Sequence, residues 1–222
     1  MPQITQPEFS AGGAIGGGSS IIPQVFSAVL DPTVNSDAVT IGARVGDRWV
    51  NTATGNEWTA KSVATGAARW AHTTRTLAQS GAILTAPAND TNENTLVTVA
   101  VAAGAMGVNG MLRVTTLWSY TNSGNVKTKR VRLGGTEFLA LANTTQASSA
   151  NGKIITNRNS AAAQVSFNAA SGGFGNSTGA VATGTVNTAV AQDLLITAQK
   201  ATGTETISLE SYTVELLRPD IS

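Results

Sequence analysis

Residues 111–133 read MLRVTTLWSYTNSGNVKTKRVRL. Leu112, Val114, Thr116 and Trp118 fall on one parity, which is the period of a strand with one buried face. Asn122-Ser123-Gly124-Asn125 is turn chemistry, since Gly and Asn accept the backbone angles of a tight reversal. From Lys127 to Leu133 the alternation resumes. Val131 and Leu133 take one face, and Arg130 and Arg132 the other, with Lys127 and Lys129 opposite the two arginines. The stretch predicts two strands joined by a hairpin turn, and it sets the fold class as all-β.

The same grammar extends in both directions. Leu96–Val101 reads as the preceding strand, and Gly134-Gly135 turns the chain into Glu137–Leu141. Further strands are expected at Lys153–Thr156, Ala163–Asn168, about 180–186, Asp193–Ala198 and Glu205–Arg218. None of these segments carries a 3.6-residue stripe. Short strands at intervals of roughly 10–15 residues, separated by Gly/Asn turns, predict a sandwich or barrel, and a jelly roll is the commonest such pattern at this size. The last strand holds a conflict. Ile207 and Leu209 share one parity, whereas Tyr212, Val214 and Leu216 share the other. Either a bulge lies near Glu210-Ser211, or both faces are buried, as an oligomer axis would produce.

Four regions are expected along the chain. Residues 1–23 form a Gly-rich arm ending in GGAIGGGSSIIP, with Phe9, Ile15, Ile21 and Ile22 as its apolar anchor points. Such sequence loses much backbone entropy on ordering and needs a partner surface to hold it. Residues 24–72 form a small β module. Within it, Gly46–Thr52 and Glu57–Lys61 read as strands around a Thr54-Gly55-Asn56 turn. Trp49, Trp58 and Trp70 supply its core, with a sugar-stacking platform as the alternative use of the same rings. Residues 73–93, with Pro87-Ala88-Asn89-Asp90, read as a linker, and 94–222 as a jelly-roll-like β domain.

Composition narrows the function. The 222 residues carry a net charge of +1, and only 12% are charged, about half the roughly 25% of ordinary domains. No strong field steers the chain to nucleic acid or to an anionic membrane. There is no Cys, so disulfides, thiolate metal sites and Cys nucleophiles are excluded. No secretion signal is expected in residues 1–13, and no apolar run is long enough to span a bilayer as a helix. A particle assembled in the cytoplasm and released by lysis is compatible with these features.

Two stretches carry a resemblance. Gly46-Asp47-Arg48-Trp49-Val50-Asn51-Thr52, then Thr54-Gly55, Glu57-Trp58 and Gly66-Ala67-Ala68-Arg69-Trp70, is similar to a small β module of phage tail-fibre and structural proteins. Residues 112–136, Ile155-Thr156-Asn157-Arg158-Asn159-Ser160 with Gln164, and the closing 206–217 resemble trimeric jelly-roll domains of phage fibres, spikes and head decorations. The resemblance implies a homotrimer carried on a virion, in contact with capsid, portal, neck or tail proteins. It does not distinguish head, collar and tail components.

The search for chemistry returns little. The single histidine, His72, reads as a surface or turn residue, and no Gly-x-Ser-x-Gly elbow exposes a nucleophile. One His without Cys excludes a His-rich metal site, while a carboxylate calcium site stays open. Glu137, Asp193, Glu205, Glu210 and Glu215 are the carboxylates left for glycoside chemistry, against plain solvation at strand edges. Arg130, Arg132, Arg158 and Tyr212 are candidate oligomer contacts: Arg130 and Arg132 by pairing to Glu137, Glu210 or Glu215 of a neighbour, unless plainly solvated, and Arg158 by hydrogen bonds from the polar turn 157–160. A non-enzymatic structural protein without cofactor is therefore expected. The rivals are a depolymerase or esterase, and a receptor-binding module stacking host-surface glycans on Trp118, Tyr120 or Phe174.

Overall fold

The computed structural model describes residues 22–221 and, among them, contains strands and no helix. Two compact units are present. Residues 22–73 with 219–221 make the first, and 74–218 the second.

The first unit is one four-stranded sheet in the order β1 (Val25–Ala28), β2 (Arg48–Asn51), β3 (Glu57–Ser62), β4 (Arg69–His72). β1 runs parallel to β2, and the other pairs are antiparallel. The register sets Phe26 beside Trp49 and Trp49 beside Trp58, while Ala60 faces Trp70. One face therefore collects all of the aromatic bulk. Phe26 and Trp49 stack at 6.1 Å, and Trp49 meets Trp70 edge-on at 5.8 Å. Phe26, which sequence reading did not single out, is as buried as the three tryptophans. Residue 221 returns to this unit from the far end of the chain, bridging Trp70 with two backbone hydrogen bonds.

The second unit contains two sheets. One has the order β10 (Thr136–Asn143), β9 (Lys127–Leu133), β14 (Gln192–Lys200), β7 (Asn94–Val101). The other has the order β13 (Ala182–Gly184), β12 (Gln164–Ser166), β11 (Ser148–Asn157), β8 (Met111–Tyr120), β15 (Ile207–Leu217), β5 (Arg75–Ser80), with β6 (Leu84–Thr85) also on β15. The pairs are nested: β9 with β10, β8 with β11, β7 with β14, and β5 with β15. A long antiparallel hairpin rolled onto itself gives this nesting, and it is the jelly roll. Leu112, Val114 and Trp118 of one sheet and Val131, Leu133, Leu194 and Ile196 of the other face inward as a shared core.

Three expectations change here. Residues 73–93 are no linker, because β5 and β6 lie there and β5 is the first strand of the roll. Its short sequence RTLAQS is only half-buried at a sheet edge, so its alternation is weak. The turn at 122–125 does not close a hairpin, since β8 and β9 belong to different sheets and the turn carries the chain across the sandwich. Last, 219–221 leave the jelly roll for the first unit. The conflict in the closing strand resolves as a bulge. Leu209 pairs with Trp118 and Ser211 with Leu117, leaving Glu210 as the extra residue. Gly134 and Gly135, at φ of 52° and 81°, make the two-residue reversal between β9 and β10, as their sequence suggests.

Candidate functional site

The recognisable words of the sequence hold loops in place. In the first unit, the Asp47 carboxylate accepts from the backbone N–H of Gln24 at 2.7 Å and of Arg44 at 2.8 Å, tying the entry of β1 to the turn before β2. Asn51 accepts from Ala53 and Thr54 N–H and donates to Asp31 at 2.6 Å, so it caps the 51–56 turn. The indoles of Trp49 and Trp70 donate to the Leu30 and Ser36 carbonyls. Asp37 gathers the N–H groups of Gly66, Thr40 and Val39, and the Gly66 bond foremost holds its carboxyl below the usual range. Trp49, Trp58 and Trp70 are all at most 4% exposed, which removes them as a sugar-stacking platform. His72 lies in β4, half-buried and edge-on to Trp58 at 5.3 Å, rather than in a turn.

In the jelly roll, Asn157 donates to the Gly107 carbonyl at 2.6 Å and to Thr188 at 2.8 Å. Gln164 donates to Asn157 and to the Val186 carbonyl and accepts from the Val186 N–H. These buried amides pin the connection between β11 and β14, which accounts for Asn157 and Gln164 in the recognisable stretch.

The basic cluster divides as its parity requires, but not as its charge suggests. Lys127 and Lys129 point into the sandwich and are 0% exposed, joined by Lys153 and Lys200. Lys127 donates to the Thr121 carbonyl at 2.8 Å and pairs with Glu205 at 3.2 Å. Lys153 donates to the carbonyls of Phe167 and Asn168, and Lys200 to those of Pro87 and Gly203. Lys129 donates to the Tyr120 hydroxyl at 2.7 Å, to Asn143 at 3.1 Å and to Ser149. Burial lowers Lys129 and Lys153 to about 8 and raises the Tyr120 hydroxyl to about 12.

Arg130 and Arg132 lie on the outer face of the four-stranded sheet. Arg132 contacts Glu93 and Glu137, each at 2.9 Å, and Arg130 contacts Glu137 at 3.1 Å and Glu93 at 3.5 Å. The Arg132 contact foremost holds Glu93 below the usual range. The two arginines are thus paired within the chain to Glu93 and Glu137. Tyr212 packs partly buried against the core, on the inward parity that the bulge restores. Arg158 is exposed just after β11. Of the anchor residues, Ile22 is 74% exposed, while Phe9, Ile15 and Ile21 lie outside the described residues.

The carboxylates considered for glycoside chemistry serve separate roles. Glu137 meets the two arginines, Glu205 meets Ser123 and Lys127, Glu210 meets Ser119, and Glu215 meets Arg113, while Asp193 is exposed at the start of β14. Among the described residues, no group of three or more His, Cys, Asp or Glu is placed to hold a metal. A hollow of about 690 Å³ opens beside the β9–β10 turn, lined in part by Arg75, Gly134, Gln192 and Asp193.

Two features are exposed and unlike the rest. Phe174 is 85% exposed on the loop between β12 and β13, whose residues 169–181 carry no charge. Trp118 and Tyr120, its expected companions as stacking faces, are 1% and 8% exposed and belong to the core. The loop is seated on Gly152, whose N–H donates to the Gly172 carbonyl at 3.1 Å. Gly173 has a φ of 140°, and a Cβ there would lie 2.1 Å from the Gly152 carbonyl oxygen, so the seat requires glycine. The second feature is the outer face of the β5–β15–β8–β11 sheet. Its rows run Ile154, Arg113, Glu215, then Gly152, Thr115, Thr213, then Ala150, Leu117, Ser211.

No family model matches the chain, and no curated protein does. Among solved structures, a chain from the structure of infectious bursal disease virus, Gx strain, aligns at 14% identity and a TM-score of 0.21. The alignment covers 72% of this chain and 44% of that one, so this chain spans less than half the length of its neighbour.

Proposed function

We propose that this chain is a structural protein of a virus particle, of the bacteriophage fibre, spike or head-decoration type, and that it works as a homotrimer. The observation that carries the reading is the pairing of an aromatic four-stranded module with a jelly roll in one chain. These are the two parts implied by the resemblance of residues 46–70 and 112–217. In this reading the arm 1–23 binds capsid, portal, neck or tail proteins, and the jelly roll projects from the particle. The role is mechanical rather than catalytic, and no cofactor takes part.

The arm supplies the test. Particles assembled with a chain lacking residues 1–23 are expected to lose it, while the truncated chain stays folded and soluble. Normal occupancy of the truncated chain on particles would overturn the anchor.

A second reading is favoured by Phe174 alone. An aromatic ring 85% exposed beside uncharged Asn, Ser and Thr side chains suits the apolar face of a sugar. Host-surface glycans would then bind at this loop. Glycan-array binding that disappears with Phe174→Ala supports it, and an array without signal for the wild type rejects it.

A further inference from the structure

We infer that the outer face of the β5–β15–β8–β11 sheet is the surface through which copies of this chain meet, an inference that rests on the homotrimer reading above. The two outer faces of the jelly roll differ in charge. The four-stranded sheet carries the Arg130, Arg132 and Glu137 network outward. On the other sheet, β5, β8, β11 and β15 hold five charged residues between them, of which Lys153 is turned inward and buried and Arg75 stands opposite the inward Leu216. Arg113 and Glu215 satisfy each other at 2.7 Å, and Glu210 accepts from Ser119.

What remains exposed on the strands is small, hydroxylated or aliphatic, with the Phe174 ring lying over the Gly152 position of β11, and no lysine of these strands guards it. Thr115 is exposed at the centre of the face, and Leu117 is 42% exposed beside it. Solvated sheet faces usually carry more charge than this. A face whose only cation and its carboxylate partner lie side by side suits another copy of itself. Because Arg113 and Glu215 are already paired within each face, three such faces can turn toward one axis without setting an unpaired charge against its like. Thr115 and Thr213, each both donor and acceptor, can pair across the same axis.

The projected area comes close to that of a standard interface without reaching it. The four strands, spaced ~4.8 Å apart and rising ~3.4 Å per residue, present roughly 600 Å² of face. A stable interface takes about 800 Å² from each partner.

The test is the solution mass of the full chain by light scattering after chromatography. It compares the wild type with Leu117→Lys, Thr115→Arg and, as a control on the opposite outer face, Thr98→Lys. The wild type and Thr98→Lys are expected at the mass of three chains. Leu117→Lys and Thr115→Arg are expected at the mass of one chain with unchanged circular dichroism, since both sites are exposed, and with a thermal midpoint lowered only by the lost association. A monomeric wild type overturns the inference, whichever other partner covers the face on a particle. So does an oligomer whose mass neither variant changes. Occupancy on particles is scored separately. A monomer that is incorporated sinks this interface but leaves the structural role standing, and a trimer absent from particles does the reverse.

Discussion

At the scale of single residues, the buried lysines govern how this jelly roll responds to pH. A lysine stem lines the core at modest cost if its amine finds partners, and Lys127, Lys153 and Lys200 each reach carbonyls of a loop. Lys129 donates instead to a tyrosine, an asparagine and a serine. Parity in the sequence set Lys127 and Lys129 opposite the arginines, but nothing in it said that the lysine side was the inner one, because charge argues the other way. With folded values near 8 against an ordinary 10.5, Lys129 and Lys153 bind fewer protons in the folded chain than in the unfolded chain between those limits. Stability therefore rises as pH climbs from about 8 toward 10.5, and below 8 the cost is constant. Tyr120 acts in the opposite sense. Its value near 12 means that the unfolded chain loses the phenolic proton first, so stability falls as pH passes 10. Urea midpoints of the wild type are expected to rise from pH 8 to 10. Lys129→Met and Lys153→Met should each flatten that rise, and Tyr120→Phe should soften the fall above it. Equal slopes in all four proteins would rule the linkage out.

At the scale of elements, the sequence revealed strands more readily than their partners. Alternation tells which face of a strand is buried, and β8, β9, β14 and β15 announce themselves that way. It does not tell which strand lies alongside, so β8 and β9 read as a hairpin although the sandwich separates them. β5 stayed hidden because an edge strand buries little. The candidate interface was hidden for a related reason. Its residues are the outward half of strands legible only by their inward half, and its low charge acquires meaning only once the topology gathers β15, β8 and β11 into one sheet. The bulge was legible because two parities cannot share a face. Its identity as Glu210 makes a test of register. Removing Glu210 leaves Leu209 opposite Trp118 and Ser211 opposite Leu117 in regular alternation, with Ile207, Leu209, Val214 and Leu216 still inward. That deletion is expected to fold, within about 1–2 kcal/mol of the wild type, the scale of an average substitution. Deleting Thr213 instead turns Val214 and Leu216, both 0% exposed, outward. At roughly 1.5–3 kcal/mol for each buried side chain, the cost is about 3–6 kcal/mol, enough to unfold many domains. Denaturation of the two deletions side by side measures the difference, and similar losses in both would contradict the assignment.

At the scale of the whole molecule, the two units have separate cores but not separate stretches of chain. One core is built around Phe26, Trp49, Trp58 and Trp70, and the other around the facing sheets of the jelly roll. The first unit is completed only when residues 219–221 return after β15. Trp70 and Ile221 exchange hydrogen bonds of 3.0 and 2.9 Å, and Asp220 accepts from the His72 N–H at 3.3 Å. Ile221 also packs against the aromatic cluster. Removing residues 219–222 therefore deletes two backbone hydrogen bonds, worth about 1 kcal/mol each in net terms, and part of an apolar side chain's burial. A loss of roughly 2–4 kcal/mol is expected in the first unit alone. The fluorescence of the protein separates the two units, because three of its four tryptophans lie in the first and only Trp118 in the second. In the truncated chain the fluorescence transition should move to lower denaturant, while the circular dichroism of the jelly-roll strands keeps its midpoint. If both signals shift together, the two units unfold as one cooperative body.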